Sequence, residues 1–127
     1  MKKIMFVLLG ICLSMLVACG GEKVDDATSD KYIGKAEEII LLLNDGNFEA
    51  VTETLDSQMK AELTADRLKE IEPVIEQSGD YEEIKKSSVE KQDNMYITII
   101  VANYTNENRT FTISFNEADE VVGLFVK

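Results

Sequence analysis

The chain has 127 residues, a length that fits one domain, and 45% of them are hydrophobic, enough for a sizeable core. Its 24 acidic residues outnumber the 13 basic ones and give a net charge of −11, which argues against binding to nucleic acid. With no His and only two Cys, the sequence excludes metal sites built from imidazole or thiolate ligands. It excludes Ser–His and Cys–His catalytic pairs as well, and it indicates no cofactor.

The N-terminus reads as a lipoprotein signal peptide over residues 1–18. Two lysines precede an apolar run over 4–16, which is shorter than a membrane-spanning helix requires. Leu16, Val17 and Ala18 then lead to Cys19 in a pattern that resembles a bacterial lipobox, where the preceding segment is cleaved and the thiol receives a diacylglycerol. Cleavage before Gly21 is the alternative, and it would give a plain secreted protein.

The lipobox predicts attachment to the cell membrane on its extracytoplasmic face. Two acyl chains suffice for lasting attachment, so the diacylglycerol on Cys19 would be the membrane contact. Without Lys2 and Lys3, 11 basic residues stand against 24 acidic ones, a net charge of −13 that disfavours direct adhesion to anionic lipid. Small and charged residues over 20–29 then predict a flexible tether, which reaches roughly 33 Å when extended.

Three helical patterns follow the tether. Asp30 is a candidate N-cap for a first helix with an apolar stripe from Tyr32 to Leu43, and Gly46 suits the left-handed position after its end. Asn47 is the candidate cap of a second helix, and Thr64 is that of a third. The second helix has an apolar stripe made of Phe48, Val51, Leu55 and Met59. Pro73 predicts a break in the third helix near Glu72.

Strand patterns occupy the second half of the chain. Residues 81–89 read as a strand whose change of parity indicates a bulge or a sheet edge, and 95–105 as a central strand with apolar residues on both faces. Residues 110–115 alternate as a half-buried strand, and 121–126 close the sheet, with Gly123 marking either a bulge or a close backbone approach. The order predicts an α+β domain over 30–127, with two to three N-terminal helices on a curved, four-stranded antiparallel meander.

Several short segments make this chain similar to bacterial lipoproteins that carry the domain of unknown function 3887. The segments are Leu42-Leu43-Asn44-Asp45-Gly46-Asn47-Phe48-Glu49-Ala50-Val51, Leu55-Asp56, Met59-Lys60, Leu63-Thr64, Gly79, Phe115-Asn116 and Val121-Val122-Gly123-Leu124-Phe125. The resemblance implies a small cone-like α+β fold, similar to cystatin-like and nuclear-transport-factor-2-like domains. It supplies no catalytic residues, and Pro73 departs from the family's uninterrupted third helix.

A cone-like fold would bring five apolar and aromatic side chains to one concave face of the sheet. If the face is open, they line a pocket for a small apolar ligand; if it is covered, they fill a small core. These candidate pocket residues are Tyr96, Ile100, Tyr104, Phe111 and Phe115.

Three functions fit this sequence. The first is a lipid-anchored binding or interaction module without catalytic activity, with an apolar ligand, a protein partner or a second copy bound to the sheet. The second is a small enzyme that uses one Asp or Glu, which would have to be buried in a pocket with a raised pKa. The third is a structural protein of the cell envelope. Residues 116–120 read as a polar turn, because they lack the spacing of a calcium loop.

Overall fold

The computed structural model describes residues 22–127. The residues of the predicted signal peptide and lipobox, including Leu16, Val17, Ala18 and Cys19, lie outside that range. Among the described residues, no helix is both long enough and apolar enough to cross a membrane.

The first helix, α1, covers Asp26–Asn44 and begins earlier than the sequence predicted. Its N-cap is Asp25, whose carboxylate accepts from the Thr28 backbone N–H at 3.4 Å, so the predicted cap at Asp30 is wrong. A two-residue strand, β1, precedes it at Glu22–Lys23. The predicted flexible tether therefore does not hold over 22–29, and the domain starts before residue 30. Gly46, with φ of 74°, follows the helix in the left-handed region, as predicted.

Four short helices connect α1 to the main sheet. They are α2 at Phe48–Glu53, α3 at Ser57–Glu62, α4 at Ala65–Leu68 and α5 at Glu72–Ser78, with a 3₁₀ turn at Lys69–Ile71. Asn47 and Thr64 cap α2 and α4, which confirms both predicted caps. The break near Glu72 is also confirmed, because Pro73 lies in the first turn of α5, where its missing N–H does no harm.

The predicted second helix is two helices. Its stripe of Phe48, Val51, Leu55 and Met59 has helical spacing, yet the chain leaves the helix after Glu53. Leu55 then forms a parallel bridge with Val121, and α3 starts afresh behind its own cap, Asp56.

The sheet has five antiparallel strands in the order β1-β2-β3-β4-β5, so the predicted count of four is wrong. The main strands are β2 at Tyr81–Gln92, β3 at Met95–Tyr104, β4 at Asn108–Phe115 and β5 at Val121–Val126. The missed strand, β1, pairs with Lys91 and Glu90 at the end of β2. Register shifts place bulges in β2 and in β5 beside Gly123, and a bulge was one of the two alternatives predicted at each place.

The core lies between α1 and one face of the sheet. Tyr32, Ala36, Ile39, Ile40 and Leu43 enter it from α1. The sheet contributes alternate residues of β3 and β4, from Thr98 to Tyr104 and from Phe111 to Phe115. The α+β class is thus confirmed, with helices preceding the main strands and covering one face of the sheet.

Candidate binding groove

The five predicted pocket residues lie in the packed core. Ile100 and Phe111 are fully buried, and Phe115 and Tyr104 are at most 2% exposed. Tyr96 is half-buried, with its ring stacked on Tyr32 at 4.5 Å between centroids. Of the two alternatives for these residues, a pocket or a small core, the structure shows the core, because side chains of α1 fill the space over them.

Two tyrosine hydroxyl groups at this helix–sheet contact have hydrogen-bond partners. Tyr104 donates to Asn44 Oδ1 at 2.7 Å, and burial raises the pKa of its phenol. Tyr32 donates to Asp119 Oδ1 at 2.7 Å; burial and this carboxylate both raise the pKa of Tyr32. These bonds fix the two tyrosines at the ends of the core and leave them as structural residues.

An open apolar groove runs instead along β5, at the edge of the sheet. It consists of two adjoining cavities, of about 280 Å³ and about 540 Å³, which share Leu63, Arg67 and Leu124. We call this site the β5 groove. Its main apolar lining comes from Leu63, Leu68, Ile71, Val74, Leu124 and Phe125.

The short helices form one wall of the β5 groove. Leu63 lies between α3 and α4, and Ile71 and Val74 lie on either side of the turn that begins α5. Leu68 is buried, whereas Leu63, Ile71 and Val74 remain half-exposed. Since each helix here is only one or two turns long, the wall bends around β5 and covers it incompletely.

The strand β5 forms the other wall and presents apolar residues on both faces. Leu124 pairs with Ile113 and points to the helix side, while Phe125 pairs with Thr112 on the outer face. Phe125 is 67% exposed; within 22–127 the other exposed large apolar side chain is Leu41, at 42%. A phenyl ring left in water at the rim of an apolar groove is typical of a contact surface.

The charge of the groove is sparse and mostly acidic. Arg67 contributes its only basic group among the described lining residues, and Glu62 and Glu70 lie on the helical wall. All three side chains are exposed. The groove therefore presents an apolar floor with a rim of two carboxylates and one guanidinium.

Over residues 22–127, every carboxylate is exposed or half-buried, and none of them has the burial that the enzymatic hypothesis requires. Two carboxyl groups have lowered pKa values: hydrogen bonds from Lys31 and then Tyr32 lower the pKa of Asp119, and a hydrogen bond from Thr28 lowers that of Asp25. Within the same range, no three acidic side chains cluster closely enough to hold a metal ion.

Sequence reasoning missed the β5 groove because it searched the concave face of the sheet. A usable signal was present in 121–126, where every residue but Gly123 is apolar. A terminal strand that pairs on one side and is apolar on both faces must be covered or must offer a surface. The positions at which the helices of 63–74 begin and end decide whether β5 is covered. The spacing of apolar residues in that segment does not reveal those positions.

Comparison with known proteins agrees with the fold and identifies a family. The family model described as "Protein of unknown function (DUF3887)" matches residues 36–124, which is more than half of the chain. The chain therefore belongs to this family. No curated protein matches it.

One solved structure is similar. It is the NMR structure of a protein from Ruminococcus gnavus ATCC 29149, with a TM-score of 0.68 and 19% sequence identity. The match covers 83% of this chain and 96% of that one. At this identity the similarity concerns the fold.

Proposed function

We propose that the protein is a lipid-anchored, extracytoplasmic binding module without catalytic activity of its own, and that it binds an apolar ligand or partner segment in the β5 groove. The observation that carries the proposal is the pairing of an open apolar groove with the exposed ring of Phe125. Exposed apolar surface costs solubility, and contiguous patches of it commonly mark binding sites.

The anchor in this proposal is a diacylglycerol on Cys19, at the cell membrane. Its support is the lipobox-like sequence at 16–19 and the acidic charge of the domain, which needs a covalent anchor to stay at an anionic surface. Because β1 starts at Glu22, three residue steps separate it from Cys19, and they reach at most about 10 Å.

We also infer kinship with the cone-shaped α+β folds. The support is the succession of helices and then an antiparallel meander, with the long helix packed on one face. In such a fold the concave face commonly holds a ligand; here α1 fills that face, and binding moves to the edge of the sheet.

Binding of the neutral dye Nile red to purified residues 20–127 tests the groove. This segment includes the whole packed core, which runs from Val24 to Val126. Leu63→Glu should weaken dye binding about tenfold, since it puts a charge into the apolar wall, and Phe125→Ser should weaken it to a lesser degree. Leu41→Glu is the matched control and should bind like the unmodified domain.

Circular dichroism of each variant confirms that the domain is folded before dye binding is compared. Equal dye affinity of the unmodified domain, Leu63→Glu and Phe125→Ser would refute the groove as the binding site. So would a loss confined to Leu41→Glu.

A further inference from the structure

The free edge of β5 carries backbone groups that point away from the sheet. At the end of the strand, Thr110 and Lys127 exchange both of their hydrogen bonds, at 3.0 and 2.9 Å. Bonded and non-bonded pairs alternate in an antiparallel ladder. The pairs Phe111–Val126 and Ile113–Leu124 are therefore non-bonded, and the N–H and C=O groups of Leu124 and Val126 face outward from β4.

The protein's own chain already pairs with this edge at its first residue. The Val121 N–H donates to the Thr54 carbonyl at 2.8 Å, and the Asp56 N–H donates to the Val121 carbonyl at 2.9 Å. This parallel pairing ends as α3 begins at Ser57. The edge of β5 thus pairs with another backbone segment at one residue in this fold, and its continuation past Val121 borders the β5 groove.

The groove also matches the side chains of an extended chain. Successive residues of a strand point to opposite faces, so alternate side chains of an added strand would enter the cavity beside Leu68, Ile71 and Val74. The intervening side chains would lie on the outer face near Phe125. Acyl chains and sterols could fill the cavity, whereas an extended polypeptide also pairs its own backbone with the outward N–H and C=O groups at the spacing of a strand.

Charge narrows the class of polypeptide. The groove has Glu62 and Glu70 against Arg67, on a domain whose net charge is −13 once Lys2 and Lys3 are left aside. An acidic surface attracts basic segments and repels both a second acidic copy and an anionic membrane.

We propose that the β5 groove binds an extended polypeptide segment by strand addition to Leu124 and Val126, a segment with apolar residues at alternate positions and Lys or Arg at its ends. This inference rests on the proposed function, since it specifies what the groove holds. The backbone supplies the hydrogen bonds, and the alternate apolar side chains supply the contact with the helical wall.

Fluorescence anisotropy with labelled synthetic peptides and residues 20–127 tests the inference. The probe is a peptide of alternating Val and Thr with two Lys at each end. The expected result is saturable binding that weakens as salt is raised and is lost when the terminal Lys residues become Glu. Two further peptides are N-methylated at every second residue, one at the odd positions and the other at the even positions. The peptide whose methyl groups replace the N–H groups that face β5 should bind about tenfold more weakly than the other.

A matched pair of protein variants tests the edge itself. Val126→Pro removes an N–H that is unbonded in the fold, so it should weaken peptide binding about tenfold. Val126→Thr retains that N–H and should bind the peptide with normal affinity. Equal binding of both methylated peptides would overturn strand addition. Strand addition would also be overturned if the domain bound no peptide but still bound Nile red, with that dye binding weakened by Leu63→Glu. That result would leave the proposed function intact. A dimer seen by light scattering that Val126→Pro dissociates would overturn the peptide proposal and would identify a second copy as the occupant of this edge.

Discussion

At the scale of single residues, Asp119 holds the last turn of the sheet against α1. Its carboxylate accepts from the Tyr32 hydroxyl at 2.7 Å and lies 2.8 Å from Lys31 Nζ. Its backbone is left-handed, with φ of 64°, a conformation that Asn and Asp adopt more readily than most residues. Asn116 Oδ1 closes the same turn by accepting from the Ala118 and Glu120 N–H groups. The turn and the helix are therefore joined by side chains.

We predict that the contribution of Asp119 to stability depends on pH. Hydrogen bonds from Lys31 and Tyr32 lower its pKa in the folded state, so the stabilisation is present above the unfolded value of about 3.9 and is lost as pH falls through the folded value. Asp119→Asn tolerates the backbone and should cost about 1 kcal/mol at pH 7. Urea unfolding of both proteins at pH 7 and pH 3 measures this loss of stability. An equal difference in the free energy of unfolding at the two pH values would contradict the mechanism.

The aromatic residues show what a sequence pattern can and cannot predict at this scale. Period-two alternation correctly placed Ile100, Tyr104, Phe111 and Phe115 on one face of the sheet. Whether that face is empty depends on the volume of the side chains above it, chiefly Tyr32, whose ring lies 5.2 Å from that of Phe115. Strand periodicity carries no information about that volume.

At the scale of elements, the segment between Glu53 and Ser57 shapes the β5 groove. It leaves the helix, pairs Leu55 with Val121, and restarts as α3 behind Asp56. The continuous apolar spacing of 48–59 predicted one helix, because a tertiary hydrogen bond to β5 is invisible to local spacing. The strand β1 was missed for a similar reason: Glu22 and Lys23 have no apolar alternation, and pairing with β2 alone makes them a strand.

Asp56 should be the residue that fixes this restart. Its side chain accepts from the Met59 N–H at 2.8 Å, as an N-cap does. Asp56→Ala should lower the free energy of unfolding by about 1 kcal/mol, and Asp56→Asn, which keeps an acceptor oxygen, by less than half of that. Chemical denaturation of the three proteins side by side gives the comparison. Equal losses for Ala and Asn would show that the cap oxygen is not what holds α3.

At the scale of the molecule, β1 and the β5 groove lie at opposite edges of the sheet. The strand nearest to Cys19 in sequence is β1, and four strand spacings, roughly 19 Å, separate it from β5. An anchor on Cys19 would therefore hold one edge near the membrane and leave the other edge free for a partner. Only three residue steps separate Cys19 from β1, so such an anchor would hold the domain closer to the membrane than the tether over 20–29 that composition predicted.

Membrane fractionation of cells that express the protein and its Cys19→Ala variant tests the lipid-anchored binding module most directly. The unmodified protein should sediment with membranes at its mature size. The variant should be released or remain unprocessed. The released form should bind Nile red with unchanged affinity, because the groove is lined by residues from Met59 to Val126. A Cys19→Ala protein that stays in the membrane fraction at the mature size would contradict the anchor and the orientation that follows from it.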